Sequence, residues 1–324
     1  DSGHEIHVIQ APEADSEEVT FSRRDITLPG SVTLHDADLR KGIWNAPFAN
    51  KVFQKGYYGV GIRTQVRDLI DTEGVDILWL YNLPHYPLAL INDVPIVFDV
   101  VDDYIAMLNH ELGLPSSVLI RGIEEFAFAQ LLKQSSLISV ISHELQRGVE
   151  RMIGTSVPIH VIPNGVDTDV FPIQTDPRKT TRDPPVVGFV GSFEYFIDFE
   201  LILDAAEALP DIEFLLVGDG REYEYVKSQV EQRNLDNVRL PGLVESSAVP
   251  EYIQQMDICL NSFKRTPLSH AAVPLKLFEY LSQGRPVVST RIREVQYIDD
   301  GFLTYADTKS ELVEAIERIC DNYG

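Results

Sequence analysis

The chain is predicted to be α/β, built as two Rossmann-like domains that face each other across a cleft. Three observations lead there. Short β-rich runs alternate with longer helical patterns from end to end, which is the signature of doubly wound parallel sheets. Runs such as VVGFVG and FLLVG lack two-residue alternation, as strands buried on both faces do. The pattern breaks once, at Asp176–Pro185 (DPRKTTRDPP), where three prolines and five charges leave no large apolar residue for either core. The expected division is residues 1–175 for the first domain, 176–185 for an exposed linker and 186–324 for the second domain.

In the first half, strands are expected at Glu5–Gln10, Asp76–Tyr81, Ile96–Val101, Leu137–Ser142 and Ile159–Pro163, each a short apolar run rich in β-branched residues. Tyr57–Glu73, Val118–Lys133 and His143–Ile153 carry helical periodicity between them. In the second half the expected strands are Val186–Gly191, Glu213–Gly218, Val238–Leu240, Asp257–Asn261, Pro286–Thr290 and Phe302–Tyr305. Helices are expected at Phe199–Leu209, Arg221–Arg233, Ser247–Gln255, Pro274–Gln283 and Thr308–Asp321. Residues 12–55 give little pattern, and Glu13–Glu18 reads as a solvated loop.

Composition excludes several classes of function. The 324 residues are 44% hydrophobic and 9% aromatic, enough to bury sizeable cores. Fifty Asp and Glu against 27 Lys and Arg give a formal charge of −23. Residues 1–166 carry 12 positive and 22 negative groups, and residues 167–324 carry 15 and 28, so the acidity covers the whole surface. Such a surface argues against nucleic acid as a partner, because that affinity comes mainly from cationic contacts. It also argues against an unaided grip on an anionic membrane, and it suits a protein living in high salt, where self-repulsion is screened. Cys259 and Cys320 cannot form a disulfide framework or a Cys/His metal cluster, so a reducing, cytoplasmic setting is expected. No apolar run reaches the roughly 18 residues of a membrane-spanning helix, and no basic-plus-apolar leader opens the chain.

The segment richest in chemistry is Ala272–Thr290, AVPLKLFEYLSQGRPVVST. Pro274 suits a first helical turn and Gly284 a helix stop. The helix amino end near Val273–Leu275 then offers free N–H groups and the positive end of the dipole to a diphosphate, with Lys276 adding charge. Glu279, a turn and a half in, can accept both hydroxyls of a ribose. The bland alternative is a surface Lys276–Glu279 ion pair at i,i+3 spacing. Other features are a G-F-V-G-S turn at Gly188–Ser192, I-P-N-G-V-D at Ile162–Asp167, L-V-G-D-G at Leu216–Gly220, and V-R-L-P-G at Val238–Gly242 ahead of V-P-E-Y-I-Q-Q-M-D. Each alone reads as an ordinary turn.

In this order and spacing, these motifs resemble glycosyltransferase family 4, a family of retaining enzymes with the two-domain GT-B fold. P-N-G-V-D and P-x-K-x-x-E-Y-L carry most of the likeness. The full run from Pro274 to Thr290, with D-V-V-D-D-Y at Asp99–Tyr104, is similar to a subgroup making surface polysaccharides such as teichuronic acid. The resemblance implies transfer of a sugar from a nucleotide-sugar to a glycan, polysaccharide or lipid-linked acceptor, with no metal and no cofactor beyond the donor, at the inner face of a membrane. It implies Glu279 as ligand of the donor ribose, and Pro274, Leu275 and Lys276 as neighbours of the donor phosphates. Gly191 and Ser192 match the glycine turn over the diphosphate, and Leu243 and Val244 fall at the nucleobase pocket.

The chain also departs from the pattern. The glutamate usual eight positions before Glu279 is Ala271, Ser192 stands for the usual Arg, and no Lys follows before Lys227. Lys264 and Arg265 are candidates for the missing charge, or two solvated residues on a loop. In the first half Asp102 and Asp103 follow a strand end, where one carboxylate can orient an acceptor hydroxyl while the other caps the next helix. Asp102 is taken for chemistry. His85 and His110 receive no role, and Trp44 and Trp79 are read as packing. Asp36–Asp38 is the only Asp-x-Asp considered as a metal pair and lies in the illegible stretch. Gly3–Ile9 matches the family's second strand, so the first strand, its glycine loop and helix, and a final crossing helix, are expected to be missing, with little transfer by this chain alone. Two rival readings are a non-catalytic nucleotide-sugar-binding or scaffold subunit and a sugar-nucleotide epimerase on the same architecture.

Overall fold

A computed structural model describes residues 3–10, 30–37, 51–81, 88, 91, 93–103, 105–106, 117–174 and 183–323. The Glu13–Glu18 loop, Trp44, His85, His110, Asp38 and the linker residues 176–182 lie outside the described residues. The chain divides into two compact units, Asp1–Ser139 with Val149–His160, and Val140–Gly148 with Val161–Gly324.

In the first unit, β1 (Ile6–Gln10) and β2 (Val32–Asp36) pair in parallel as a sheet of two strands. A second sheet holds β3 (Leu78–Tyr81), β4 (Ile96–Val100), β5 (Leu137–Val140) and β6 (Ile159–Val161) in that order. Helices α1 (Lys51–Glu73) and α2 (Ser117–Gln134) belong to this unit, while α3 (His143–Ile153) begins in residues of the second unit and ends in the first. Phe98 of β4 is fully buried and meets Phe128 of α2 edge-on, with ring centroids 5.7 Å apart. Trp79, by contrast, is 61% exposed on β3, so its reading as a packing residue is corrected.

The second unit is built on one six-stranded parallel sheet: β7 (Val186–Val190), β8 (Glu213–Val217), β9 (Val238–Gly242), β10 (Ile258–Asn261), β11 (Val287–Ser289) and β12 (Leu303–Tyr305), in the order β12-β11-β10-β7-β8-β9. Its helices are α4 (Phe199–Ala208), α5 (Tyr223–Gln232), α6 (Val249–Gln255), α7 (Pro267–Ala271), α8 (Leu275–Ser282), α9 (Arg293–Ile298) and α10 (Lys309–Tyr323). Every residue of β7 and β10 is buried, which explains their unbroken apolar runs: helices cover both faces of a central parallel strand. Phe189, Phe193 and Phe199 pack ring against ring, 4.5–5.8 Å between centroids, and burial of each such side chain stabilises by about 1.5–3 kcal/mol. Because β7 has β8 on one side and β10 on the other, the sheet reverses its winding between β7 and β10. That reversal opens a crevice at the carboxyl ends of those strands, where folds of this type bind ligands.

Among the described residues, three elements escaped the sequence reading: β2, α7 and α9. None exceeds six residues, too few for a periodic signal. Helix α1 begins at Lys51 rather than Tyr57, running through Gly56; a single interior glycine costs only about 1 kcal/mol against alanine.

Candidate donor site

The crevice of the second unit is assembled from turns at the carboxyl ends of the strands. After β7 the chain turns at Gly191, whose N–H donates to Val217 O at 3.0 Å, and Phe193 N–H donates to Asp219 O at 2.9 Å. The turn after β8 is pressed so closely on the first that a Cβ built at Gly218 would lie 1.9 Å from Gly191 O. Gly218 N–H in turn donates to Gly242 O at the end of β9, at 3.0 Å. The loop after β7 is also stitched to the segment after β10: Asp198 N–H donates to Ser262 O at 3.1 Å and Lys264 N–H to Phe196 O at 2.8 Å. Gly191 and Leu243 thus belong to one row of turns along a single sheet edge.

Helix α8 enters this edge with its amino end. Pro274 is its N-cap, one place before the first helical turn where the sequence reading put it, and no side chain caps the helix. The chain leaves Pro274 extended (φ −67°, ψ 125°), and Leu275, 53% exposed, begins the helix. Leu277 N–H donates to Pro274 O at 3.1 Å, and the aligned N–H groups of the first turn give this end a partial positive charge.

Lys276 turns inward. Its Nζ lies 3.9 Å from the centroid of the Phe189 ring and 5.6 Å from that of Phe263, and a Cβ on Gly191 would meet it at 2.8 Å. The ammonium therefore sits over the switch point, between β7 and the segment following β10, held by the faces of two aromatic rings. Burial lowers its pKa to about 7, an effect that Glu279 partly opposes. Burial likewise raises the Glu279 carboxyl, against the attraction of Lys276. The half-buried placement of both side chains sets this arrangement apart from the solvated i,i+3 pair of the bland reading.

Tyr280 fixes the helix to the strand beneath it. Its hydroxyl accepts from Val190 N–H at 2.8 Å and donates to Val190 O at 3.3 Å. Burial drives its pKa well above the ordinary phenol value, so it remains a neutral hydroxyl able to do both. Sequence reading quoted this residue only as part of a motif; a tyrosine on the core-facing side of a helix needs a partner for its O–H, which was the available signal.

The remaining candidates divide. Ser192 is exposed on the glycine turn. Leu243 is 63% exposed, whereas Val244 packs partly against the core. Lys264 donates from Nζ to Tyr195 O at 2.9 Å, on the loop after β7. Arg265 pairs with Asp307 at 3.3 Å, which also holds Arg291 at 2.9 Å. Its charge is thus shared with a carboxylate just past the end of β12.

In the first unit, Asp103 Oδ1 accepts from Ala106 N–H at 2.9 Å. The capping carboxylate is therefore Asp103, and its neighbour Asp102 is the exposed one. Asp102 lies near the end of β3: with burial and Asp99, it raises the Tyr81 hydroxyl above its ordinary pKa. Asp99, paired with Tyr81 across β3 and β4, accepts from Ser139 Oγ at 2.7 Å. Among the described residues no three His, Cys, Asp or Glu side chains come together as metal ligands, and no helix is long and apolar enough to cross a membrane.

Comparison with known proteins bears on family and fold. The family model described as Glycosyltransferase Family 4 matches residues 1–170, and that described as Glycosyl transferases group 1 matches residues 184–322. A Bacillus subtilis glycosyltransferase named for teichuronic acid biosynthesis, TuaH, is 28% identical over 257 residues, covering 76% of this chain. The alignment spans 64% of that relative's own length. Among solved structures, WaaG, a glycosyltransferase involved in lipopolysaccharide biosynthesis, superposes with a TM-score of 0.67 at 15% identity, covering 92% of this chain and 80% of that one. HepE of Anabaena, solved with UDP-glucose, gives a TM-score of 0.64 at 17% identity over 90% and 76% of the two chains. The fold is GT-B, two Rossmann-like α/β units.

Proposed function

We propose, from the premise that the chain belongs to glycosyltransferase family 4, that it moves a sugar from a nucleotide-sugar donor to a hydroxyl of a glycan, polysaccharide or lipid-linked acceptor. The observation that carries this reading is the Lys276 ammonium held against Gly191 at the switch point, beside the open amino end of α8. A nucleoside diphosphate is the ligand that suits a cation, the positive end of a helix dipole and a carboxylate one turn further on. HepE, solved with UDP-glucose, supports a nucleotide-sugar as the donor class.

In the proposed mechanism the bond from the anomeric carbon to the diphosphate oxygen breaks as the acceptor oxygen bonds to that carbon on the same face. The departing phosphate oxygen takes the acceptor proton, so the anomeric configuration is retained. Lys276 and the α8 amino end stabilise the negative charge that grows on the diphosphate, the main source of rate in such sites. Glu279 holds the ribose, and Gly191, Ser192, Pro274 and Leu275 border the phosphates. Leu243 and Val244 meet the base, while Lys264 and Arg265 lend weaker positive potential. Asp102 orients the acceptor hydroxyl. Reaction without a metal follows, because protein cations take its place, and the acidic chain meets a membrane-associated acceptor at the cytoplasmic face.

The test is calorimetry and a donor-hydrolysis and transfer assay with a panel of nucleotide-sugars. Glu279→Ala should weaken nucleotide binding by about 1–3 kcal/mol. Unchanged affinity in that variant overturns the ribose assignment, and binding without hydrolysis or transfer favours a non-catalytic subunit. Loss of activity to a chelator, restored by magnesium or manganese, overturns the metal-free reaction.

A further inference from the structure

Helix α8, which carries Lys276 and Glu279, is held at both ends by one segment that the proposed chemistry leaves unused, the stretch from Asn164 to Gln174. At the amino end, Asn164 Nδ2 donates to Val273 O at 2.7 Å. At the carboxyl end, Gln174 N–H donates to Ser282 O at 2.7 Å, and Gln283 Nε2 donates to Pro172 O at 2.9 Å. Between these anchors Phe171 is buried in the core of the second unit, and its N–H donates to Asp167 O at 2.8 Å. The segment is a strap with three attachments to one short helix.

The amino-end attachment differs in kind from the other two. Pro274 has no N–H, and no side chain caps α8, so the helix start lacks the usual means of fixing its entry. Val273 is 3% exposed, and its carbonyl is the one just ahead of Pro274, whose own oxygen is taken by Leu277 N–H at 3.1 Å. The Asn164 amide takes that acceptor, which sets the orientation of the Val273–Pro274 peptide and hence of the N–H groups after it. A buried carbonyl oxygen left unpaired beside an anion site would also repel phosphate. The N-G pair at Asn164–Gly165, which alone reads as a turn, thus reaches across more than a hundred residues of sequence to the donor helix.

We infer that Asn164 is a positioning residue for the donor diphosphate, acting through the Val273 carbonyl on the amino end of α8 and not on the ribose end. The inference rests on the donor-site reading above.

The experiment measures binding of UDP, GDP and ADP and of the matching nucleosides to the full chain by calorimetry, with weak nucleosides read by competition. For whichever diphosphate binds, Asn164→Ala should lower its affinity about tenfold, the size of one lost buried hydrogen bond. The nucleoside's affinity should change less than about twofold. Asn164→Ser, which keeps a donor, should recover part of the loss. Gln283→Ala, which cuts one attachment at the far end of the same helix, should leave both affinities within about twofold. If Asn164→Ala does not fold, Asn164→Leu keeps most of the volume and removes the donor without adding charge, and is read the same way. Unchanged diphosphate affinity, an equal loss for diphosphate and nucleoside, or the same pattern in Gln283→Ala overturns the inference while leaving the donor site standing. A wild-type chain that binds none of the diphosphates, with Glu279→Ala indistinguishable from it, overturns the donor-site reading itself.

Discussion

The ammonium of Lys276 occupies the space that any side chain at position 191 would need: a Cβ built on Gly191 lies 2.8 Å from Nζ and 3.1 Å from Cε. The glycine turn therefore has two tasks. In the proposed donor site it lets the backbone of β7 run close to the diphosphate, and it houses the cation of a helix that follows about eighty residues later in the chain. The backbone at Gly191 has φ +143°, a conformation side chains rarely adopt.

Gly191→Ala tests that relationship. The substitution places a methyl group in a backbone region open essentially to glycine and against the Lys276 ammonium. A loss of about 1–3 kcal/mol in folding stability is expected, with weaker nucleoside diphosphate binding as Nζ moves from the switch point. Urea denaturation and calorimetry on the variant check both, and a variant matching wild type in the two measurements would sink the packing argument.

Lys276 also predicts a pH dependence with a definite sign. With its pKa lowered to about 7 by burial, the free protein holds an ammonium below that pH and an amine above it. A bound diphosphate raises the pKa, so binding above pH 7 takes up a proton, and affinity falls by up to about tenfold per pH unit. Calorimetry in buffers of different ionisation heat counts that proton. Lys276→Arg should abolish the uptake, since guanidinium stays charged. Without ligand the sign reverses: the unfolded lysine holds its proton to higher pH, so this group's contribution to stability improves from about pH 7 upward.

Tyr280→Phe removes both hydrogen bonds to Val190 and leaves that strand N–H buried without its acceptor. Stability should drop by about 1–3 kcal/mol, read as a lower denaturation midpoint at unchanged slope. An unaltered midpoint would mean that the hydroxyl does not hold α8 to β7.

Salt supplies a prediction for the whole surface. A formal charge of −23 spread over the entire chain should make the melting temperature climb between dilute buffer and molar salt as self-repulsion is screened. A flat or falling curve would count against an origin in high salt.

Much of the architecture was legible because burial leaves a periodic trace. Helix α3 was read with its observed limits, His143–Ile153, since its polar and apolar residues separate cleanly by face. The strands of the second unit were each found to within a residue or two, the central ones because continuous apolar runs such as VVGFV are what strands buried on both faces leave in a sequence. Trp79 went wrong for the complementary reason: a large aromatic on a β run reads as buried, and only the exposure of one face of β3 shows otherwise.

Within the site, the sequence by itself determined which residue types stand at a helix start, Pro274, Lys276 and Glu279, because the constraints there are local: proline's missing N–H, the helix dipole and side-chain spacing. It also marked Asp102–Asp103 as adjacent carboxylates after a strand and favoured Asp102 for chemistry, with the other as the cap. Tertiary structure decided what each group meets. It gave the cap to Asp103, turned Lys276 onto Phe189, shared Arg265 with Asp307, tied Tyr280 to Val190 and sent Asn164 to Val273. Apart from the local cap at Asp103, those partners are joined by sheet order and loop crossings, so their distance along the chain says nothing of their distance in space. A residue's spacing along a helix or strand is written in the sequence, whereas the neighbour that fills its hydrogen bond or shields its charge exists only once the strands have paired.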